Sequence, residues 1–289
     1  MTQSSFTPDP QGPSDAGRSP QPAGASHPAS SPGSPGSPNS PRAPRTRIRA
    51  EILIILGLSL GQSGIYAALN LLRRYLAPVP LSEQTASLNV SQSAQATLDL
   101  IYQILAITFG LMPVALALFL LTPSFRASLR KLGIDASRPL RDLGSGVVLA
   151  AVIGIPGLGL YAVGRLLGLS TEVVASALNT HWWTIPILIL AALKNAVLEE
   201  VIVVGYLVTR LEQLRWHTGV IIATSALLRG SYHLYQGPAM ALGNVVMGIV
   251  FSLWFLRTRR TGPLIIAHTI LDVAAFVGYA LLPDSWLNF

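Results

Sequence analysis

The sequence predicts an all-α fold, a polytopic transmembrane helical bundle of about seven spans with a disordered N-terminal tail. Three observations predict it. Of the 289 residues, 51% are apolar and only 11% are charged, whereas a soluble domain carries about 25% charged residues. The apolar residues gather into stretches close to the roughly 20 that a helix needs to cross a bilayer. Arginines and lysines fall between those stretches in alternation, as the orientation rule for membrane proteins requires.

Residues 1–47 differ in composition from the rest. They are rich in Pro, Ser and Gly, as in Ser31-Pro32-Gly33-Ser34-Pro35-Gly36-Ser37-Pro38. Such a segment cannot bury enough apolar surface to offset its ordering entropy, so a disordered cytoplasmic tail is expected. The first apolar stretch begins only at Ile52, so no cleaved secretory signal is expected. The predicted spans are Ile52–Leu72, Leu100–Leu121, Gly144–Leu167, Trp183–Val208, Gly219–Tyr235, Ala239–Leu256 and Pro263–Leu282. The fifth and sixth are short, which points to tilt, a kink or partial re-entry. Residues 48–179 thus form the N-terminal membrane spans, and 180–289 a second membrane region.

Arg42, Arg45, Arg47 and Arg49 precede the first span, and Arg126, Arg130, Lys131, Arg138 and Arg141 separate the second from the third. Arg210 and Arg215 follow the fourth, and Arg257, Arg259 and Arg260 follow the sixth. With seven spans, all four groups fall on one side. This predicts a multi-pass protein of the cell membrane with a cytoplasmic N-terminus and an external C-terminus. The net charge of +7 therefore reports loops beside the bilayer rather than a nucleic-acid partner. The absence of cysteine excludes disulfides, thiolate chemistry and Cys-ligated zinc.

Ionisable groups inside spans are costly in hydrocarbon, and they mark function when they gather. Here they concentrate in the last four spans: Lys194, Asn195, Glu199 and Glu200, then Arg229 and His233, then Asn244, then His268 and Asp272. The first three spans read as packing helices. Asn195 and Glu199 are four apart, as are Arg229 and His233, and His268 and Asp272, so three helices can each aim a polar pair at one centre. A regular helix turns Glu200 about 100° from Glu199, so the two carboxylates should point differently, one to the centre and one to a nearby base. His181 and His217 sit at span ends and His27 in the tail, where interfacial or solvated roles are expected.

A buried carboxylate beside a histidine can take a proton from water, and a histidine fixed by an Asp can donate to a developing oxyanion. Such a set suffices for amide hydrolysis. The same groups could instead hold a divalent metal such as zinc through Glu199, His233 and His268, although the H-E-x-x-H pattern is absent.

At these residues the sequence resembles the CPBP family of intramembrane proteases (CAAX proteases and bacteriocin-processing enzymes, also called the Abi family). Glu199-Glu200-Val201-Ile202-Val203-Val204-Gly205-Tyr206 is similar to its first motif. Ser225-Ala226-Leu227-Leu228-Arg229-Gly230-Ser231-Tyr232-His233 is similar to its second, and Gly262 through His268 to Asp272 to its third. The resemblance covers about residues 180–282 and implies an all-helical intramembrane endopeptidase that acts on a peptide or membrane-protein substrate. It implies that Glu199 and His233 activate water, that His268 and Asp272 stabilise the oxyanion, and that Glu200, Arg229 and Asn195 support them. No cofactor is required on this reading, with zinc as the alternative. Two positions depart from the family pattern. Val204 stands where an Arg is usual and Arg229 where a Phe is usual, so Arg229 is expected to supply the missing charge by pairing with Glu200. The alternatives are a non-catalytic scaffold on the same bundle, or a proton-coupled transporter whose buried acids form a relay.

Overall fold

The computed structural model describes residues 44–281. The expectations for the tail up to residue 43, its disorder and His27 among them, lie outside these residues, as does Leu282. Helix α1 spans Arg45–Gly57, so it begins inside the stretch read as tail. Helix α2 spans Leu60–Tyr75 and is bent from α1 by 50°. Ser59 lies at the bend, where its hydroxyl donates to the Ile55 carbonyl at 2.6 Å, the back-bonding that deflects helices. Strand β1 (Thr85–Ser87) precedes α3 (Ala96–Gly110) and α4 (Met112–Leu121). These two helices form one span of 26 residues, interrupted at Leu111 by Pro113, which lacks the N–H that would continue the ladder.

A short helix, α5 (Phe125–Lys131), leads to α6 (Pro139–Leu166), the longest span at 28 residues. Strand β2 (Glu172–Val174) then pairs parallel with β1, Thr85 opposite Glu172. These three-residue strands qualify the expectation of a purely α protein. Helix α7 (Thr184–Glu199) continues without a break through a π-helical stretch, Glu200–Tyr206, into α8 (Leu207–Gln213). The remaining helices are α9 (Thr218–Ser231), α10 (Pro238–Thr258) and α11 (Gly262–Leu281).

Among the described residues, four helices are long and apolar enough to cross a membrane: Ala96–Leu121, Pro139–Leu166, Pro238–Thr258 and Gly262–Leu281. The bent pair α1 and α2 makes a fifth if it is one span. The α7–α8 helix has the length, but Lys194, Glu199, Glu200 and Arg210 lower its apolar character. Helix α9 has 14 residues, about 21 Å at 1.5 Å per residue, short of the roughly 30 Å hydrocarbon thickness. The sixth predicted span, by contrast, is a full 21-residue helix.

The core lies around the π stretch. Val201, Ile202, Val203, Val204, Tyr206, Leu207 and Val208 are all buried, as expected of a helix that is apolar on every side. A run of β-branched residues at 201–204 crowds a regular α-helix. The carbonyl of Val203 is met at 3.0 Å by the Ser225 hydroxyl of α9, a side-chain insertion of the kind that accompanies such distortions. Helices α9 and α10 approach closely at Gly248, where a Cβ would lie 2.7 Å from the Ala226 Cα and 3.4 Å from the Arg229 Cδ. The missing side chain lets α10 lie directly against the Ala226 backbone of α9. Helix α11 packs against α6 and α7, which brings the third motif beside the first.

Candidate active site

Glu199 closes α7 and Glu200 opens the π stretch, and both are buried. Arg229 reaches them from the last turn of α9 and is wholly buried. Its Nη2 donates to Glu200 Oε1, and its Nη1 lies 3.4 Å from Glu199 Oε2. The guanidinium carbon stands 5.4 Å from the Phe251 ring centroid, a cation–π distance. The expected partnership of Arg229 with Glu200 is therefore present, while Val204 is packed in the apolar core. His268 of α11 presents Nδ1 to Glu200 Oε1 at 2.7 Å.

The two glutamates do not diverge as a regular helix requires. Ligand atoms of Glu199, Glu200 and His268 all lie within 4.8 Å of one another. The backbone departs from regular α-helix at Glu200, and each side chain has three rotatable bonds, so both carboxylates reach the same guanidinium. The contact between His268 and Asp272 is looser. Asp272 Oδ1 stands 3.6 Å from His268 Nε2, beyond hydrogen-bond range, so Glu200 rather than Asp272 is the tight partner of His268. Asn195 Nδ2 approaches Asp272 Oδ2 at 3.4 Å, and Lys194 Nζ donates to Asn195 Oδ1 at 2.5 Å.

His233 does not extend the helix that carries Arg229. Helix α9 ends at Ser231, and His233 sits in the turn beyond it with Nδ1 3.0 Å from the Arg229 carbonyl oxygen. It interacts electrostatically with Glu199 and His268, but the hydrogen bond to Glu199 from this turn comes from its neighbour. Tyr232 donates its hydroxyl to Glu199 Oε2 at 2.8 Å and packs against the His233 ring with centroids 4.8 Å apart. Sequence reasoning missed Tyr232, although a phenol directly before the motif histidine was the available signal. Lys194 was noted as a misplaced charge without a role. Asn244 stays apart and donates to the Met240 carbonyl of its own helix.

The electrostatic balance is tight. Three carboxylates, Glu199, Glu200 and Asp272, face the cations Arg229 and Lys194 and the imidazole of His268. Buried charges persist only when paired in this way. Two groups retain capacity: Glu200 Oε2 and Arg229 Nε are buried and have no protein partner. Glu199, Glu200 and His268 offer the donor types that zinc takes, and the Arg229 guanidinium occupies one oxygen of each carboxylate, leaving the other free of it.

Among known proteins, residues 181–274 match the family model of the type II CAAX prenyl endopeptidase Rce1-like proteins. No curated protein and no solved structure matches the chain significantly. The matched stretch contains all of the residues just described, from Lys194 to Asp272, and the family it matches is described as one of endopeptidases. Over residues 181–274 the chain is thus similar to the Rce1-like CAAX proteases, which agrees with the CPBP resemblance of its three motifs.

Proposed function

We propose that the protein is an intramembrane endopeptidase that hydrolyses a peptide bond with water activated by Glu199 and His233. The carrying observation is the buried convergence of Glu199, Glu200, Arg229 and His268 from three helices inside the stretch that matches the CAAX-protease family. Glu199 is anchored through Oε2 by Tyr232 and Arg229, which leaves Oε1 to take a proton from water. The water oxygen adds to the substrate carbonyl carbon, and the carbonyl π electrons move to its oxygen. His268 has Nδ1 committed to Glu200, whereas Asp272 stands off from Nε2. Nε2 is thus the nitrogen left to donate to the developing oxyanion, and Glu200 orients the ring through Nδ1, the role that the resemblance gave to Asp272. The proton held by Glu199 and His233 then passes to the leaving amine as the C–N bond breaks, giving a carboxylate and an amine.

Arg229 does the work that a motif arginine does elsewhere in the family, holding Glu200 and reaching Glu199, and the steps above use protein groups and water alone. The substrate is a peptide or membrane protein, with prenylated CAAX sequences the first to test. The catalytic region is 180–289, supported by spans within 48–179, with the tail 1–47 preceding them. Seven spans and a cytoplasmic N-terminus are supported by the basic loops. Thr261 N donates to the Leu132 carbonyl at 2.7 Å, Arg260 binds Asp142 and Asp135, and Arg259 binds Glu212. These bonds gather three of the arginine-rich segments at one end of the bundle.

The test is cleavage of a quenched fluorescent farnesylated CAAX peptide by purified protein in lipid nanodiscs. Glu199→Gln is expected to lower kcat about 10²–10⁴-fold, the scale of general-base catalysis. Equal rates for the two proteins would overturn the assignment of the base. Chelation with EDTA or 1,10-phenanthroline is expected to leave the rate unchanged, and loss restored by zinc would overturn the metal-free reading.

A further inference from the structure

We infer that the cavity between α2 and the turn after α9 binds the backbone of the substrate as an extended strand of three to four residues beside the bond to be cut. This subsite rests on the hydrolysis proposed above. The cavity measures about 320 Å³ and is lined by Gln62, Ser63, Tyr66 and Asn70 of α2 and by Tyr232 and Tyr235. Tyr232 is the shared wall, because its hydroxyl is the one bonded to Glu199. Helix α2 is pressed against this corner at Gly64, where a Cβ would lie 2.5 Å from the Ser231 hydroxyl oxygen.

The lining suits a peptide main chain. Gln62, Tyr66 and Asn70 recur every four residues, so they share one face of α2. Gln62 is exposed within a membrane helix, where an amide facing lipid is costly, while the Ser63 hydroxyl donates to the Ser59 carbonyl at 3.4 Å. The Arg74 Nε donates to Asn70 Oδ1 at 2.9 Å, which fixes the amide and leaves its NH₂ to donate elsewhere. Gln62 and Asn70 are eight positions apart, about 12 Å along the axis at 1.5 Å per residue. That length matches three to four residues of extended chain at roughly 3.3 Å each. An extended strand inside a bilayer needs partners for its own N–H and C=O groups, and these side chains supply donors and acceptors along that length. A lipid tail offers no such groups, so it would leave the amides without partners.

The experiment places a photoreactive residue in the cavity, Tyr66→p-benzoylphenylalanine, in the full chain carrying Glu199→Gln. The protein is held in lipid nanodiscs, and the probe is a biotinylated farnesylated CAAX decapeptide. Val152→p-benzoylphenylalanine on α6, where the side chain is exposed, is the control. Adduct at position 66 is expected to exceed that at 152 by about tenfold and to be displaced by excess unlabelled peptide. Equal labelling, or labelling that is not displaced, would mean a lipid-facing groove and would overturn the subsite. In the otherwise native chain, Gln62→Leu with Asn70→Leu is expected to raise KM for the same peptide about tenfold, the scale of one or two lost hydrogen bonds, with most of the loss in KM rather than kcat. An unchanged KM would overturn it. Cleavage by the native chain without a specific adduct would reject this subsite alone. Specific adduct without cleavage would support it and reject hydrolysis, and neither result would reject both.

Discussion

Two buried arginines, Arg210 and Arg229, sit in comparable surroundings and carry opposite balances of charge. Each guanidinium lies over an aromatic ring, Tyr206 at 5.3 Å for Arg210 and Phe251 at 5.4 Å for Arg229. At the first, two arginines serve one carboxylate: Arg210 Nη2 binds Glu51 Oε2 at 2.5 Å, and Arg47 Nε binds Glu51 Oε1 at 2.9 Å. The Leu120 carbonyl and Gln213 take further N–H groups of Arg210. At the second, one arginine serves two carboxylates, and a tyrosine and a histidine complete the set. The acid is saturated in the first cluster and in excess in the second. Burial of charge alone therefore does not distinguish the brace from the proposed reactive centre; the surplus of carboxylate does.

The comparison breaks most visibly if the two arginines tolerate the same changes. Arg229→Ala leaves two buried carboxylates without their shared cation and is expected to cost about 3–5 kcal/mol, as is Glu200→Ala, measured by thermal denaturation in detergent. A harmless Arg229→Ala would refute the relocation of the motif charge. Joint replacement separates the clusters further. Arg210→Met with Glu51→Leu is expected to lie between neutral and about 4 kcal/mol more stable, with cleavage retained, whereas Arg229→Met with Glu200→Leu should abolish cleavage even where the protein folds. Retained cleavage in the second pair would erase the distinction.

A smaller effect is expected from Tyr232→Phe, which removes one hydrogen bond to a carboxylate, about 1.5–3 kcal/mol. It should appear as a rate loss of roughly ten- to a hundred-fold with little change in Tm; a rate loss matched by a comparable loss of stability would mark Tyr232 as structural. The smallest effect belongs to the exposed loop pair. Hydrogen bonds from Ser137, then from Arg260, hold the Asp135 carboxyl at about 2, below its ordinary 3.8. A depressed folded value contributes stability above pH 4 that is lost as pH falls toward 2. Asp135→Asn should therefore shift Tm slightly at pH 6 and by much less at pH 2, and a shift of the same size at both would show that its charge is irrelevant.

Much of this was legible in the sequence. Span positions come from hydropathy over long windows, and most helix ends agree within a few residues, as at Ala239–Leu256 against Pro238–Thr258. Residues placed against cost, such as Glu200 and Arg229 inside apolar stretches, announce themselves, and their pairing followed from complementary charge. The rest depends on tertiary context. The π stretch has no residue signature beyond a β-branched run, so regular spacing misjudged how Glu199 and Glu200 sit. Arg210 was counted with the loop arginines because its partner, Glu51, lies 159 residues away. The parallel strands at 85–87 and 172–174 are too short for a period and are defined only by each other. Tyr232 looked like an ordinary aromatic next to a motif histidine.

The π stretch also gears the two clusters together. It starts at Glu200 and ends at Tyr206, whose ring lies under Arg210. Removing or inserting one residue between them would swing everything downstream by about 100° on the helical wheel. Length changes at 201–205 should then dislodge the brace at Glu51 as surely as the acids at the other end, so evolution can substitute freely among apolar residues there but cannot alter their number.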